Sequence, residues 1–292
     1  MSGFITRALV TAAGPGQTTL PLQRLVDRDG VEKSALEMIV EEVDAAGVEQ
    51  VAIVIRDGDQ DAYRRAAGRF VDRLQFFVQT EPRGYGHALL CGEEFAAGEP
   101  VLHLVGDHVF LSHSARRCAE QLLAVAEEYR SCVSAVQPTR ETMLPYFGAV
   151  AGQRLPGHDG LFDVKVVIEK PTPTQAEQNL TNAGFRSGIY LCFFGMHVLT
   201  PGVFDALREL HSRHERPVAL AEALNVVAGR ERYLACQIDG QRHNVGVKYG
   251  LLQAQLALGL SGIDRDRILR DMVELIASQP CASEAAQPAA AV

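Results

Sequence analysis

An apolar run that stops abruptly in a row of very small residues constrains this chain more than any other stretch. Ile5-Thr6-Arg7-Ala8-Leu9-Val10-Thr11 leads straight into Ala12-Ala13-Gly14-Pro15-Gly16-Gln17. The pattern predicts a buried strand that ends in a tight loop. With little or no side chain at Ala12, Ala13, Gly14 and Gly16, backbone N–H and C=O groups can come close to a flat base or a phosphate. A lone Gly-x-Gly is more often an ordinary strand-to-helix turn, so the reading depends on the rest of the chain.

Beyond this loop, helical and strand patterns alternate. Lys33 to Gly47 carries Ala35, Met38, Ile39, Val43 and Ala46 at helical spacing, and Val51 to Ile55 is an apolar strand. Asp59 to Phe70 reads as a helix, Leu74 to Val78 as a strand and His87 to Ala97 as a helix. Val101-Leu102-His103-Leu104-Val105 is the near-continuous apolar run of a strand buried on both faces, and it ends in Gly106-Asp107-His108. Helix Ser114 to Tyr129 and strand Cys132 to Gln137 complete the alternating half. Such alternation predicts an α/β fold with a mostly parallel, mixed central sheet and helices on both faces.

The second half is less regular. Strands are expected at Tyr146 to Ala151, Phe162 to Ile168, Gly188 to Phe194 and Tyr233 to Ile238. Helices are expected near Pro201 to His211, Val218 to Ala228, Lys248 to Leu258 and Asp264 to Ser278. The expected organisation is one main domain over residues 1–260, a C-terminal helix over 261–279 and a disordered, Ala-rich tail over 280–292.

With 292 residues, 47% of them hydrophobic, the chain can bury a large core. A net charge of −8 leaves no global basic surface and argues against nucleic acid as a partner. No apolar stretch reaches the roughly 18 residues of a membrane span, and no secretory signature opens the chain, so a cytoplasmic protein with no membrane partner is expected. Cys91, Cys118, Cys132, Cys192, Cys236 and Cys281 lack zinc or disulfide spacing and read as reduced core thiols. His87, His103, His108 and His243 likewise lack metal-ligand spacing and carry no assigned catalytic role.

Taken in order, the motifs resemble those of the sugar nucleotidyltransferases, most closely the bacterial UTP-glucose-1-phosphate uridylyltransferases, over about Ile5 to Leu260. Ala12-Ala13-Gly14 matches the family's opening loop, and Gln79 with Gly84-Tyr85-Gly86-His87-Ala88 resembles its uracil-reading Gln and Gly-Leu-Gly-His-Ala segment. Gly106-Asp107 looks like the metal-binding Gly-Asp, Tyr146-Phe147-Gly148 like the Tyr-x-Gly strand, and Glu169-Lys170-Pro171 is the sugar-phosphate motif unchanged. Gly195-Met196-His197-Val198-Leu199-Thr200-Pro201 is similar to Gly-Arg-Tyr-Val-Leu-Thr-Pro, and Asn244-Val245-Gly246-Val247-Lys248-Tyr249-Gly250 to Asp-x-Gly-x-Lys-x-Gly.

The resemblance implies a Rossmann-like, GT-A-like nucleotidyltransferase fold that binds a uridine nucleotide and a sugar-1-phosphate or UDP-sugar, with Mg2+ as cofactor. Asp107 and Asn244 would hold the metal; Ala12, Ala13, Gly14, Gly16, Gln79 and Gly84 the nucleotide; and Gly148, Glu169, Lys170 and Lys248 the sugar phosphate. It also implies a homo-oligomer, dimer or tetramer. The family's loop arginine falls at Thr18, its Pro-Lys pair is missing, its second metal aspartate is Asn244 and a further acidic position is Pro217. Arg24 and Arg28 are the cations within reach in sequence to replace the lost pair. Two functions are therefore carried forward. One is a uridylyltransferase acting through Asp107, Lys170 and Arg24 or Arg28. The other is a catalytically impaired homologue that binds a UDP-sugar or uridine nucleotide as a regulatory or partner subunit.

Overall fold

The computed structural model describes residues 4–14, 16 and 18–278. The tail expected over 280–292, and Cys281 within it, lie outside them. In chain order the elements are β1 (Arg7–Thr11), β2 (Arg24–Val26), β3 (Glu32–Ser34), α1 (Ala35–Ala45), β4 (Gln50–Ile55) and α2 (Gln60–Ala66). A 3-10 turn (Gly68–Arg73), β5 (Leu74–Val78), α3 (Tyr85–Cys91), α4 (Glu93–Ala96), β6 (Val101–Val105), β7 (His108–Ser112), α5 (Cys118–Tyr129) and β8 (Cys132–Arg140) come next. Beyond a second 3-10 turn (Glu141–Tyr146) lie β9 (Ala149–Arg154), β10 (Leu161–Ile168), α6 (Pro173–Asn179), β11 (Ile189–Leu199), α7 (Pro201–Arg213), α8 (Leu220–Ala228), β12 (Tyr233–Gln237), β13 (Gly240–Asn244), α9 (Gly250–Leu260) and α10 (Arg265–Ala277).

Nine strands form the central sheet in the order β5-β4-β1-β6-β11-β8-β12-β10-β9. The first four are parallel, while β11 and β10 run against the other seven. The two-residue period of a strand explains why helices cover both faces. In β1, Ala8 and Val10 join one core with Leu36 and Ile39 of α1 and Leu122 of α5. Leu9 points the other way, into a second core with Leu89 of α3, Leu207 of α7 and Leu224 of α8.

Two helices expected as single pieces are divided at glycines. Asp59 to Phe70 breaks at Gly68, whose φ is +54° and whose added Cβ would sit 2.7 Å from the Glu37 carboxylate. His87 to Ala97 splits at Gly92 into α3 and α4. Two small pairings lie outside the sheet: β2 with β3, and β7 with β13. A third apolar cluster ties them to α9 through Leu25, Val109, Val245 and Ala254.

The described cysteines are free, with Cys118, Cys132, Cys192 and Cys236 buried. No helix among the described residues is long and apolar enough to cross a membrane.

Candidate active site

The parallel strands deliver their carboxyl ends to one edge of the sheet, where an open α/β sheet presents its ligand crevice. A cavity of about 370 Å3 occupies that edge. Thr11 at the end of β1 with Ala13 and Gly14 after it, Gln79 after β5, Val105 at the end of β6 with Asp107 after it, and Gly84, Tyr85 and Ala88 at the start of α3 line one side. Gly148 before β9, Glu169 and Lys170 after β10, Phe193, Gly195 and His197 of β11, and Asn244 at the end of β13 line the other.

Backbone hydrogen bonds hold the first loop: Ala12 N donates to Val54 O at 2.8 Å, and Gly106 N to Thr11 O at 2.9 Å. Ala12 is buried and does not line the cavity, whereas Ala13 and Gly14 do. Gly84 adopts φ +96°, and a Cβ there would meet Pro217 Cβ at 2.7 Å. Only glycine fits that turn, which aims the first turn of α3 at the cavity.

Gln79 is buried, and its amide orientation follows from its partners. Nε2 donates to Gly84 O at 3.1 Å; a carbonyl can only accept, so the NH2 group must face it. The same nitrogen lies 3.0 Å from His87 Nδ1. Both amide hydrogens are therefore committed within the protein, and Oε1 is the group left for a ligand. Toward a ligand this amide therefore offers acceptance alone.

On the other side, β10 is followed by Glu169-Lys170-Pro171, and α6 starts at once with Thr172 as its cap, accepting from Gln175 N at 3.2 Å. The abrupt change of direction puts Lys170 at φ +44°, a left-handed conformation unusual for a side-chain-bearing residue and common at ligand sites. Lys170 is the one lysine or arginine lining the cavity among the described residues. Glu169 opens onto the cavity, yet the protein around it raises its carboxyl pKa; Lys170 opposes this rise and Glu222 adds to it.

Asp107 and Asn244 come together although they are 137 positions apart in sequence. β7 pairs with β13 so that Asn244 stands opposite His108, and Val245 N donates to Asp107 O at 2.9 Å. Burial pushes the Asp107 carboxyl up, but His108, whose Nδ1 lies 2.7 Å from Oδ1, and Lys170 together hold it below the usual carboxylate range. Around Gly246, Asn244 Oδ1 and Asp107 Oδ2 lie 3.2 and 3.9 Å from the point where a Cβ would stand. Both side chains line the cavity; Asn244 Oδ1 already accepts from Gly246 N at 2.8 Å and keeps one lone pair, and Asp107 is ionised. Among the described residues no group of three or more His, Cys, Asp or Glu side chains forms a metal cage. The donor set fits Mg2+ bound in part by substrate phosphates, as that ion prefers.

Other sequence-chosen residues are placed elsewhere. Arg24 lies in the β2–β3 pair, ion-paired with Glu32 and exposed. Arg28 lines a separate cleft with Gln255, Asp264 and Asp271, and its carbonyl accepts from Ile263 N at 2.9 Å. Residues 24–34 turn back on themselves and pack against α9, which carries both arginines away from the cavity lining. Lys248 is exposed, its Nζ 5.2 Å from the centre of the Tyr249 ring, and Gly16 sits at φ +74° with open space around it. Neither lines the cavity. Thr18 faces a smaller cleft that shares Ala13, Gln79 and Pro82 with the main cavity and contains Arg56.

Sequence reasoning also missed residues that the fold brings in. Tyr85 and His197 line the cavity, as do His108 and Phe147. Arg242 lies behind Phe147, its guanidinium carbon 3.9 Å from the ring centre, bonded to Gln137 Oε1 and Thr139 Oγ1. For Tyr85 and His197 the signal was present, since each departs from the family's residue in a matched motif.

Residues 8–258 match the nucleotidyl transferase family. The UTP–glucose-1-phosphate uridylyltransferase of Streptococcus pneumoniae serotype 4 is 26% identical over 89% of this chain and 92% of its own length. YngB of Bacillus subtilis, of the same name, is 26% identical over 88% and 90%. Among solved structures, a UDP-glucose pyrophosphorylase complexed with UDP-glucose superposes with a TM-score of 0.70 over 87% of this chain and 98% of that one, at 24% identity. The UTP-bound enzyme from Acinetobacter baumannii gives 0.70 at 18% identity, covering 92% and 99%. At such identities these two show the fold. With the match spanning every strand that reaches the cavity, the chain belongs to the nucleotidyl transferase family.

Proposed function

We propose that this protein transfers a uridylyl group from UTP to a hexose-1-phosphate, glucose-1-phosphate first among candidates, releasing pyrophosphate. The observation that carries the reading is the convergence of Gln79, Asp107, Asn244, Glu169 and Lys170 on one cavity. A sugar-phosphate oxygen attacks the α-phosphorus, so the protein's work is alignment and charge neutralisation. Gln79 Oε1 accepts the imino N–H of uracil, which cytosine lacks at that position. Ala13, Gly14 and Gly84 let the base rest against backbone. Lys170 neutralises the sugar phosphate and holds its oxygen in line, while Glu169 accepts from a sugar hydroxyl. Asp107 and Asn244 would hold Mg2+, which when bound supplies charge neutralisation at the phosphates.

A second reading, a homologue that binds UDP-sugar without turnover, is favoured by one observation: Lys170 is the one lysine or arginine on the cavity among the described residues, with Arg24 and Arg28 turned away. Pyrophosphate release from UTP, Mg2+ and glucose-1-phosphate separates the two. Release that depends on sugar phosphate supports transfer. UDP-glucose binding with no release supports the second reading.

A cytoplasmic site of action is part of the proposal, as is a homo-oligomer. α10 has no buried residue in the single chain, and Val273 and Ile276 are 65% and 69% exposed, which is apolar surface that a second copy would cover.

A further inference from the structure

His197 stands where the matched motif of the family carries tyrosine, and it sits on the floor of the cavity with only 2% of its surface exposed. Its ring belongs to a buried polar chain that crosses β11, β8 and β12. His197 Nδ1 lies 2.6 Å from Ser134 Oγ, and Ser134 Oγ lies 2.6 Å from Tyr233 Oη. Ser134 and Tyr233 are both fully buried.

Counting protons fixes the direction of every bond in this chain. Tyr233 Oη has no hydrogen-bond partner other than Ser134 among the described residues, so its hydrogen must go to Ser134 Oγ or be stranded in the core. Ser134 has one hydrogen, which then goes to His197 Nδ1. Nδ1 is therefore the acceptor, and the ring hydrogen sits on Nε2. The reverse order leaves a tyrosine O–H buried without an acceptor. Burial, with the neighbouring His103 ring, holds the His197 pKa well below its ordinary value, so the ring is neutral. Nε2 has no partner among the described residues and is not among their buried, unsatisfied atoms.

We infer that His197 Nε2–H is a hydrogen-bond donor to a hydroxyl oxygen of the sugar ring, locked in that tautomer by Tyr233 and Ser134, and that it determines which hexose-1-phosphate is accepted. The place of the ring assigns it to the sugar end. Its edge packs on Phe193 at 4.9 Å between centres; Phe193 N donates to Gly148 O at 2.8 Å; and a Cβ on Gly148 would touch both Phe193 and the Glu169 carboxylate. A neutral donor suits a hydroxyl, because it adds direction without the strong desolvation cost of a buried charge. Such a donor discriminates well, since a ligand lacking the acceptor leaves the N–H unpaired. The sugar assignment rests on the uridylyl-transfer reading; the tautomer does not.

The test uses the full chain with 15N-labelled histidine. Long-range 1H–15N spectra of the ligand-free protein, with His197 assigned by its loss in His197→Gln, are expected to show the Nε2–H tautomer, becoming mixed in Ser134→Ala. Turnover is then compared for glucose-1-phosphate and its 2-, 3-, 4- and 6-deoxy analogues. One analogue is expected to lose roughly tenfold in kcat/KM with the wild-type chain and less than about twofold with His197→Phe. For Ser134→Ala the loss is expected in KM, with kcat nearly unchanged. An Nδ1–H tautomer beside normal turnover, or an unchanged deoxy pattern in both variants, overturns the role of His197 alone. The expected tautomer with no member of the panel bound or turned over overturns the sugar assignment together with the transfer reading.

Discussion

The two ends of the cavity are held by different means. At the base and sugar end, side chains fix one another: Gln79 is tied to Gly84 and His87, His197 to Ser134 and Tyr233, and Lys170 is set by the turn into α6. At the other end, the described part of the loop between Gly14 and Arg24 is held by its backbone carbonyls: Leu22 N donates to Thr19 O at 3.2 Å and Gln23 N to Leu20 O at 3.1 Å, while the buried Tyr63 hydroxyl donates to Thr18 O at 2.9 Å and Leu36 N to Pro21 O at 2.8 Å. No lysine or arginine comes from it to the cavity lining. On the proposed reading, directional groups of the ligand would meet side chains at the first end, and phosphate charge would meet backbone at the second. On the proposed transfer reading, neutralisation would fall to Mg2+ held by Asp107 and Asn244 and to Lys170.

Breaking the metal pair should have the largest consequence. Asp107→Asn is expected to lower kcat by about 10²–10³, by analogy with removal of one preorganised transition-state contact, while UDP-glucose affinity in the absence of metal changes little. Steady-state kinetics beside calorimetric titration would show it. Next in size, Gln79→Leu should cut the preference for UTP over CTP by roughly tenfold, because the lost acceptor was matched to only one of these bases. Competition kinetics read this directly. Restoring a cation tests the weak end from the other direction: Thr18→Arg should tighten UTP binding a few-fold and leave UDP-glucose binding unchanged, since an added charge close to water is worth little.

A smaller effect concerns stability. The folded chain holds the Glu169 proton more tightly than the unfolded chain, because its carboxyl pKa is raised. Stability therefore falls as pH rises from the ordinary glutamate value of 4.5 through the raised one, and the cost is complete above it. Glu169→Gln should raise Tm at pH 7, with the difference disappearing below about pH 4.5. The smallest expected effect is none: Arg24→Ala and Arg28→Ala should leave kcat/KM within about twofold. A large loss in either would return the loop to the catalytic machinery.

Much of this contrast was legible in the sequence. β4, β5 and β6 are short apolar runs between helical segments, and the burial of β4 and β6 follows from composition alone, while β5 at the sheet edge buries only Leu74. Asp107, Gln79, Glu169 and Lys170 were grouped by the family resemblance of their motifs, and they line one cavity. β7 and β13 were not legible, because they pair across about 130 residues and His108-Val109-Phe110-Leu111-Ser112 reads as a continuation of the preceding turn. Arg24 and Arg28 were misplaced for a related reason. Their distance from Thr18 along the chain said nothing of the β2–β3 turn that directs them toward α9. The donor state of His197 depends on partners 63 residues before it and, through Ser134, on a tyrosine 36 residues after it, which no local pattern encodes.

The most direct measurement is UDP-glucose formation by the purified chain from UTP and glucose-1-phosphate, run with and without Mg2+ and repeated with Asp107→Asn. Metal-dependent UDP-glucose and pyrophosphate in equal amounts, nearly abolished by the substitution, is the expected result. Tight UDP-glucose binding with no product at any UTP or Mg2+ concentration would contradict the transfer reading and make this cavity a receptor for the nucleotide sugar.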